Sequence, residues 1–346
     1  MRGEELEVRN AMMACYAMSL CQGDTIKATA IKLGTIKKYL KQASLLSTKA
    51  NGKRFYDPCL DEDGKMAEHL KAVLDEHGRW EKMPNRREPL TKTMVKAQHA
   101  YCRTARYSRF TGEQAAMRDW LTFGIFSGVR RGEWAMESAN LDTLVFGPDE
   151  LPRQFCMHDL VFYGPGRSVM DNDDAVHITT AASVDVTWRF QKNKDNGQTI
   201  TFTPNPDDEE LCPVRALLNI RRRAQLLGLA MDHPLAAYDV ASKRGPAVIH
   251  SGTIRRCLRR LAKSCYGITK AEDLALYTSH SIRVGACVAL HIAGKATEFI
   301  QSALRWRSDA FKMYLRNVVV IAQQRVTALN AFSPDGTSSD VAAVAV

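Results

Sequence analysis

Between residues 278 and 316 the chain reads TSHSIRVGACVALHIAGKATEFIQSALRWRSDAFKMYLR and carries, in order, His280, Arg283, Trp306 and Tyr314. His280 and Arg283 stand three residues apart at a helix start, a spacing that turns both side chains toward one target. A break at Gly294 opens a second helical run through Phe299, Ile300 and Leu304, and Ser308 with Asp309 caps a third that carries Tyr314. Such a path folds Tyr314 back onto the His/Arg pair. These residue types suit the attack of a phenol on a phosphodiester while fixed cations neutralise the charge developing on the phosphate. Singly, each has a plainer use: a His near a helix start caps or packs, and a Tyr after an apolar run packs. The ordered set is what argues for chemistry.

Elements that could hold this set follow from the rest of the chain. With 346 residues two domains are expected, and a hydrophobic share of 45% with 25% charged residues is ordinary globular usage. Helical spacing runs from Glu4 to Leu20, from Thr35 to Leu46 and from Met66 to His77; the polar MPNRREP stretch, Met83 to Pro89, then reads as a linker. The second of these helices exposes Lys37, Lys38 and Lys41, either against a phosphate backbone or simply to solvent. Domain boundaries are accordingly placed at 1–83, a linker at 84–90, a larger domain at 91–331 and a tail at 332–346.

Helices are expected at Thr91 to Cys102 and at Thr111 to Phe126, followed by SGVRRGEWA, Ser127 to Ala135, where Arg130 and Arg131 stand beside Glu133. In isolation that string reads as a surface arginine pair. Phe155 to Gly164, Val184 to Gln191 and Gln198 to Pro204 are rich in β-branched and aromatic residues and predict three strands, the last two a hairpin turning at Asn196-Gly197 with Lys192 and Lys194 at its tip. Asp207 to Glu210 and Pro213 announce a helix to Leu227. Ser251 or Thr253 caps a helix with Arg255, Arg256, Arg259, Arg260 and Lys263 on one side and Ile254, Leu258 and Leu261 on the other.

In this order, a Ser-Gly-x-Arg turn, a hairpin lysine, HxxR, Trp and Tyr, the chain resembles the tyrosine recombinase (phage integrase) family, whose signature is HxxR, then His or Trp, then the nucleophilic Tyr. Arg130 precedes HxxR by 150 residues, a usual separation there. The resemblance covers about Leu90 to Asn330; before that, an all-helical domain and basic linker match the family's core-binding domain by pattern alone. Trp306 stands where His is more usual and precedes Tyr314 by eight residues, one fewer than in many bacterial recombinases. RWRSDAF followed by Tyr looks closer to recombinases of mobile elements of the Crypton type.

The fold implied is multidomain α and α+β: an all-helical N-terminal DNA-binding domain, then a mainly helical catalytic domain with a small three-stranded antiparallel sheet. Implied as catalytic are Arg130, Lys192, His280, Arg283, Trp306 and Tyr314, with Glu133 orienting Arg130 or its neighbours and Lys194 the alternative to Lys192. The family places its catalytic lysine on such a hairpin, where it protonates the leaving 5′-oxygen. In this context the basic helix at Arg255 to Lys263 is expected to enter a major groove. Double-stranded DNA is the implied partner, with a homotetramer on paired sites; neither metal, cofactor nor ATP is implied. A type IB topoisomerase uses nearly the same residues, and a catalytically idle DNA-binding regulator could retain the fold.

Several other classes are disfavoured. The balance of 48 Lys+Arg against 38 Asp+Glu, net +10, favours a polyanionic partner. Nine scattered cysteines without CxxC read as reduced and buried. There is no HExxH, no Walker loop, and no complete calcium loop around Asp171, Asp173 and Asp174, which read as a solvated loop. Lacking a leader pattern or a bilayer-length apolar run, the protein is expected inside the cell with DNA, in the nucleus of a eukaryotic host or otherwise in the cytoplasm or nucleoid. VVVIAQQRVTAL after Tyr314 predicts one more helix, and the SPDGTSSD and VAAVAV that follow read as terminal disorder or as a segment docking on a neighbour.

Overall fold

The computed structural model describes residues 2–23, 31–50, 57–80, 86–104, 109–170, 180–191, 196–240, 245–306 and 309–315. Lys192, Lys194, Ser308, the acidic loop at Asp171 to Asp174, the helix expected after Tyr314 and the tail lie outside them. The chain divides into two compact units, Met1–Asn85 and Arg86–Val346. The first is helical: α1 (Arg2–Gln22), α2 (Leu33–Ala50) and α3 (Glu68–Trp80). Their apolar stripes meet in a small core of Ala17, Leu20, Ile36, Leu40, Leu70 and Leu74. This packing leaves Lys37, Lys38 and Lys41 exposed on the far side of α2.

The second unit is built around α5 (Glu113–Ser127), which is buried on nearly every face, as its run of Ala115, Ala116, Met117, Trp120, Leu121 and Phe123 requires. Around it pack α4 (Lys92–Thr104), α7 (Pro213–Leu226) and α10 (His280–Ile292), while α8 (Ser251–Tyr266) packs on α4. The short helices α6 (Arg131–Trp134), α9 (Ala271–Leu274) and α11 (Thr297–Ala303) link these elements. Strands β1 (Leu160–Tyr163), β2 (Ser183–Trp188) and β3 (Gln198–Phe202) form an antiparallel sheet in the order β1-β2-β3, with Val184 opposite both Phe162 and Phe202. The chain is thus mainly helical with one small three-stranded antiparallel sheet. Among the described residues no helix is long and apolar enough to cross a membrane.

Two local expectations need correction, and one small element was not foreseen. The strand expected over Phe155 to Gly164 shrinks to β1, because the Asp159 carboxylate accepts the Cys156 N–H at 2.8 Å and winds Met157–Asp159 into a 3-10 turn. A second ribbon, β4 (Ala237–Tyr238) with β5 (Ala247–Val248), has strands too short to show a period. The segment bearing Tyr314, Asp309–Tyr314, is a 3-10 helix and not a further α-helix.

Aromatic residues join sheet to helices. Trp120 stacks on Trp134 with ring centroids 4.8 Å apart, and Phe155 meets Trp188 edge-on at 5.3 Å. Helix α10 is set at close range: the Leu90 N–H donates to the Ser281 carbonyl at 2.8 Å, and a Cβ on Gly285 would lie 2.1 Å from the Leu90 carbonyl oxygen. Gly285→Ala is therefore expected to lower stability by about 1–3 kcal/mol, the range for overfilling a packed interior. Denaturant unfolding checks this; a variant as stable as the parent would mean that the Leu90 backbone yields freely.

Candidate active site

At its C-terminus α5 ends on Gly128, whose φ of 56° is left-handed and whose N–H closes on the Gly124 carbonyl at 2.9 Å. A Cβ there would come within 2.8 Å of Leu304, so glycine serves both the turn and the seating of α11 behind it. The turn delivers Arg130 to the N-cap of α6, where Glu133, three residues on, accepts the Arg130 backbone N–H at 2.9 Å and its guanidinium at 3.0 Å. Glu133 is 5% exposed and also accepts the Trp188 indole N–H at 3.0 Å and the Arg305 guanidinium at 3.2 Å. A carboxyl that accepts from four donors and gives none back is a carboxylate.

Arg283, 2% exposed, reaches from α10 to the carbonyls of Gly128 and Leu304, both at 2.6 Å. Those bonds fix the plane of its guanidinium against the end of α5 and the end of α11. Trp306 lies against it, with Arg283 Cζ 4.3 Å from the indole centroid. Among the described residues, Arg283 Nε and the Trp306 indole nitrogen are buried and find no hydrogen-bond partner, so two N–H donors are held in place with nothing to donate to. Burial, reinforced by repulsion from Arg130, presses the Arg283 guanidinium down to about 9, still high enough to keep its charge at neutral pH.

His280 and Tyr314, 34 residues apart, meet: the imidazole Nε2 and the phenol oxygen are 2.7 Å apart. Their rings are edge to face at 5.4 Å, and Tyr314 is 5.9 Å from Trp306. Phe311 anchors this 3-10 segment in a separate small core with Ala286, Cys287, Ile300 and Leu304. Burial, with help from Arg283, Arg87 and Arg130, lowers the His280 pKa below its ordinary 6.5, while burial raises that of Tyr314 above 10.0. At neutral pH the pair is a neutral imidazole beside an un-ionised phenol, the state in which the first can take the proton of the second.

Lys192 and Lys194 are outside the described residues, but both flanks of their hairpin are fixed. Gln191 N–H donates to the Asn196 side chain at 2.8 Å, and Gly197 N–H to the Trp188 carbonyl at 2.8 Å. Arg189, at the end of β2, is tied to Asp159 at 2.5 Å and to the Pro152 and Gln154 carbonyls. Gln191 and Asn196 then line, with Arg130, Gly132, Glu133, Arg153 and Phe190, a cleft of about 460 Å³. The base of the hairpin thereby shares a wall with Arg130.

Not all of the expected basic face of α8 is free to meet a polyanion. Arg255, Arg256 and Lys263 are exposed, Arg256 lying 3.7 Å from Glu113, and Arg259 is half-buried. Arg260 turns back onto α4 and α5, donating to Gln98 at 2.5 Å and Gln114 at 3.0 Å and lying 3.9 Å over the Tyr101 ring. Sequence reasoning missed Arg305 and Trp188, since an arginine within RWR and a tryptophan in a strand carry no signal that they meet a carboxylate. Among the described residues no group of three or more His, Cys, Asp or Glu could hold a metal ion.

No family model matches the chain, and no curated protein sequence matches it. Among solved structures it is similar to the site-specific recombinase XerH bound to a palindromic difH substrate in a post-cleavage complex, at 13% identity, over 93% of this chain and 72% of that one, with a TM-score of 0.47. It is also similar to the Tn1549 transposon integrase in complex with transposon right end DNA, at 13% identity over 93% and 85% of the two chains, TM-score 0.46. XerA recombinase is a third, at 16% identity over 95% and 93%, TM-score 0.38. These solved structures are recombinases and an integrase, but likenesses so loose carry no argument, and what the site does must be read from its own geometry.

Proposed function

We propose that the protein is a site-specific DNA recombinase or integrase that cleaves and rejoins strands through a 3′-phosphotyrosyl intermediate. The observation that carries this is the hydrogen bond between Tyr314 and His280 at 2.7 Å, set beside Arg283 and Trp306. The Tyr314 oxygen attacks phosphorus as its proton passes to His280; the P–O bond to the 5′-oxygen breaks, and that oxygen leaves as a hydroxyl after taking a proton from the hairpin lysine, Lys192 or Lys194. Arg130 and Arg283 neutralise the non-bridging oxygens, Arg283 through the Nε donor that has no partner within the described residues, and the Trp306 indole N–H adds one more bond. The free 5′-hydroxyl of a partner strand reverses the step, so the energy of the broken bond stays in the phosphotyrosine. Exposed Arg255, Arg256 and Lys263 on α8, and Lys37, Lys38 and Lys41 on α2, supply phosphate contacts.

The test is a nicked suicide duplex incubated with the full chain. A covalent adduct mapped to Tyr314, followed by transfer of a strand to a second duplex within a complex of about four protomers, is the expected result. An adduct without any transfer between duplexes, in a one-to-one complex that relaxes supercoils, would assign the type IB topoisomerase activity instead. DNA binding without an adduct would leave a DNA-binding regulator.

The depressed His280 pKa adds a pH prediction. As a base His280 works when neutral, and a lowered pKa keeps it neutral to more acid solution. The second-order rate of adduct formation, which reports the free protein, should fall on the acid side with a midpoint below the ordinary 6.5 of histidine. A fall centred above pH 6.5 would remove His280 from this role.

A further inference from the structure

Resting on that reading of the site, we infer that Arg305 is a positioning residue for phosphate chemistry, holding Arg130 and Arg283 and setting the charge they present. Its backbone carbonyl accepts from Arg283 and from Arg130, each at 3.4 Å, so both guanidinia converge on one oxygen. Its own guanidinium, with a side chain 1% exposed, pairs with Glu133 at 3.2 Å, donates to the Ser127 carbonyl at 3.2 Å and lies 3.9 Å over the Trp188 ring. The backbone at Arg305 is left-handed, φ 56°, a conformation that glycine adopts freely and arginine does not. A long cation in such a turn, sealed from water, points to a role for its side chain.

That role is electrostatic. Glu133 serves Arg130, Arg305 and Trp188 together. Among the described residues, with Arg130, Arg283 and Arg305 positive and Glu133 negative, this set carries three positive charges against one, a net of two. A phosphodiester brings one negative charge, and a second develops as the phenol oxygen adds, so a net of two matches the charge at the summit of the reaction. Without the Arg305 guanidinium, Glu133 would keep Arg130 as its one described cation, beside the Trp188 N–H, and the cluster would fall to a net of one.

The substitution that isolates the side chain is Arg305→Gly, which keeps the carbonyl and eases the backbone. It should slow single-turnover cleavage of the suicide duplex by about 10–100-fold, taking as a guide the loss seen when an outer-shell partner of a metal ligand is removed, while duplex affinity stays within about twofold. The double variant Glu133→Gln/Arg305→Gly returns the net charge to two and should cleave faster than Arg305→Gly alone. A purely structural role for the pair would make the second loss add to the first. Binding of inorganic phosphate to the same three proteins, followed by intrinsic tryptophan fluorescence, should rank them identically: weakest in Arg305→Gly and recovered in the double variant. A double variant no better than Arg305→Gly in either assay, or an Arg305→Gly protein equal to the parent in both, overturns the inference. If the parent itself forms no adduct, the cleavage reading fails, and the phosphate ranking alone decides whether Arg305 sets the charge of the anion site.

Discussion

Tyr314→Phe is expected to form no covalent adduct with a suicide duplex while binding that duplex within about twofold of the parent. The substitution removes one oxygen from a side chain whose ring also rests near His280 and Trp306. The ring contacts survive; the only described hydrogen bond lost is that to His280. Because Tyr314 is half-buried and Phe311 carries the anchoring of its segment, the fold has little reason to change. Denaturing electrophoresis of the reaction reads the adduct, and an electrophoretic mobility shift reads binding. Undiminished adduct in the variant would move the nucleophile elsewhere, while loss of both adduct and binding would mean that Tyr314 holds DNA in place.

The second large effect concerns the leaving oxygen. General acid assistance is worth on the order of 10²–10⁴-fold, and the hairpin whose base borders the Arg130 cleft carries two candidates, Lys192 and Lys194. A 5′-bridging phosphorothiolate departs readily as a thiolate and needs no proton, so it separates the acid from a lysine that only attracts DNA. Lys192→Ala should be slow on ordinary DNA by about that factor and close to the parent on the sulfur substrate. Lys194→Ala should lose affinity, more so at high salt, with no selective rescue. The opposite pattern assigns the acid to Lys194, and rescue of neither variant places it off the hairpin.

How much of this was legible beforehand differs by residue. His280, Arg283 and Tyr314 could be brought together on paper because their separations are set by two helices and a glycine break, local features that periodicity and capping residues reveal. The Ser-Gly-x-Arg string likewise spells its own turn, since Gly128 alone suits the left-handed position. Arg305 was invisible for the opposite reason. Its partners, Glu133 and Trp188, are more than a hundred residues away, and only tertiary packing turns it inward. Arg260 shows the same limit: its spacing puts it on the basic stripe of α8, but Gln98 and Gln114 on neighbouring helices draw it into an interhelical contact. The first part of the strand expected over Phe155 to Gly164 was lost to a single hydrogen bond that the Asp159 carboxylate accepts from the Cys156 N–H, which alternation of apolar residues cannot register.

The contact between His280 and Tyr314 exists before any DNA arrives. Restricting a tyrosine side chain and the 3-10 segment that carries it has an entropic cost, which here is met by folding, through Phe311 and the small core behind it. If Tyr314 is the nucleophile proposed above, binding energy drawn from DNA phosphates need not be diverted to ordering it, and can appear as affinity and in the barrier of the chemical step. On the same reading, a tyrosine already seated by folding accepts a phosphodiester over a narrower range of approach, so its placement adds a geometric selection to that made by contacts with DNA.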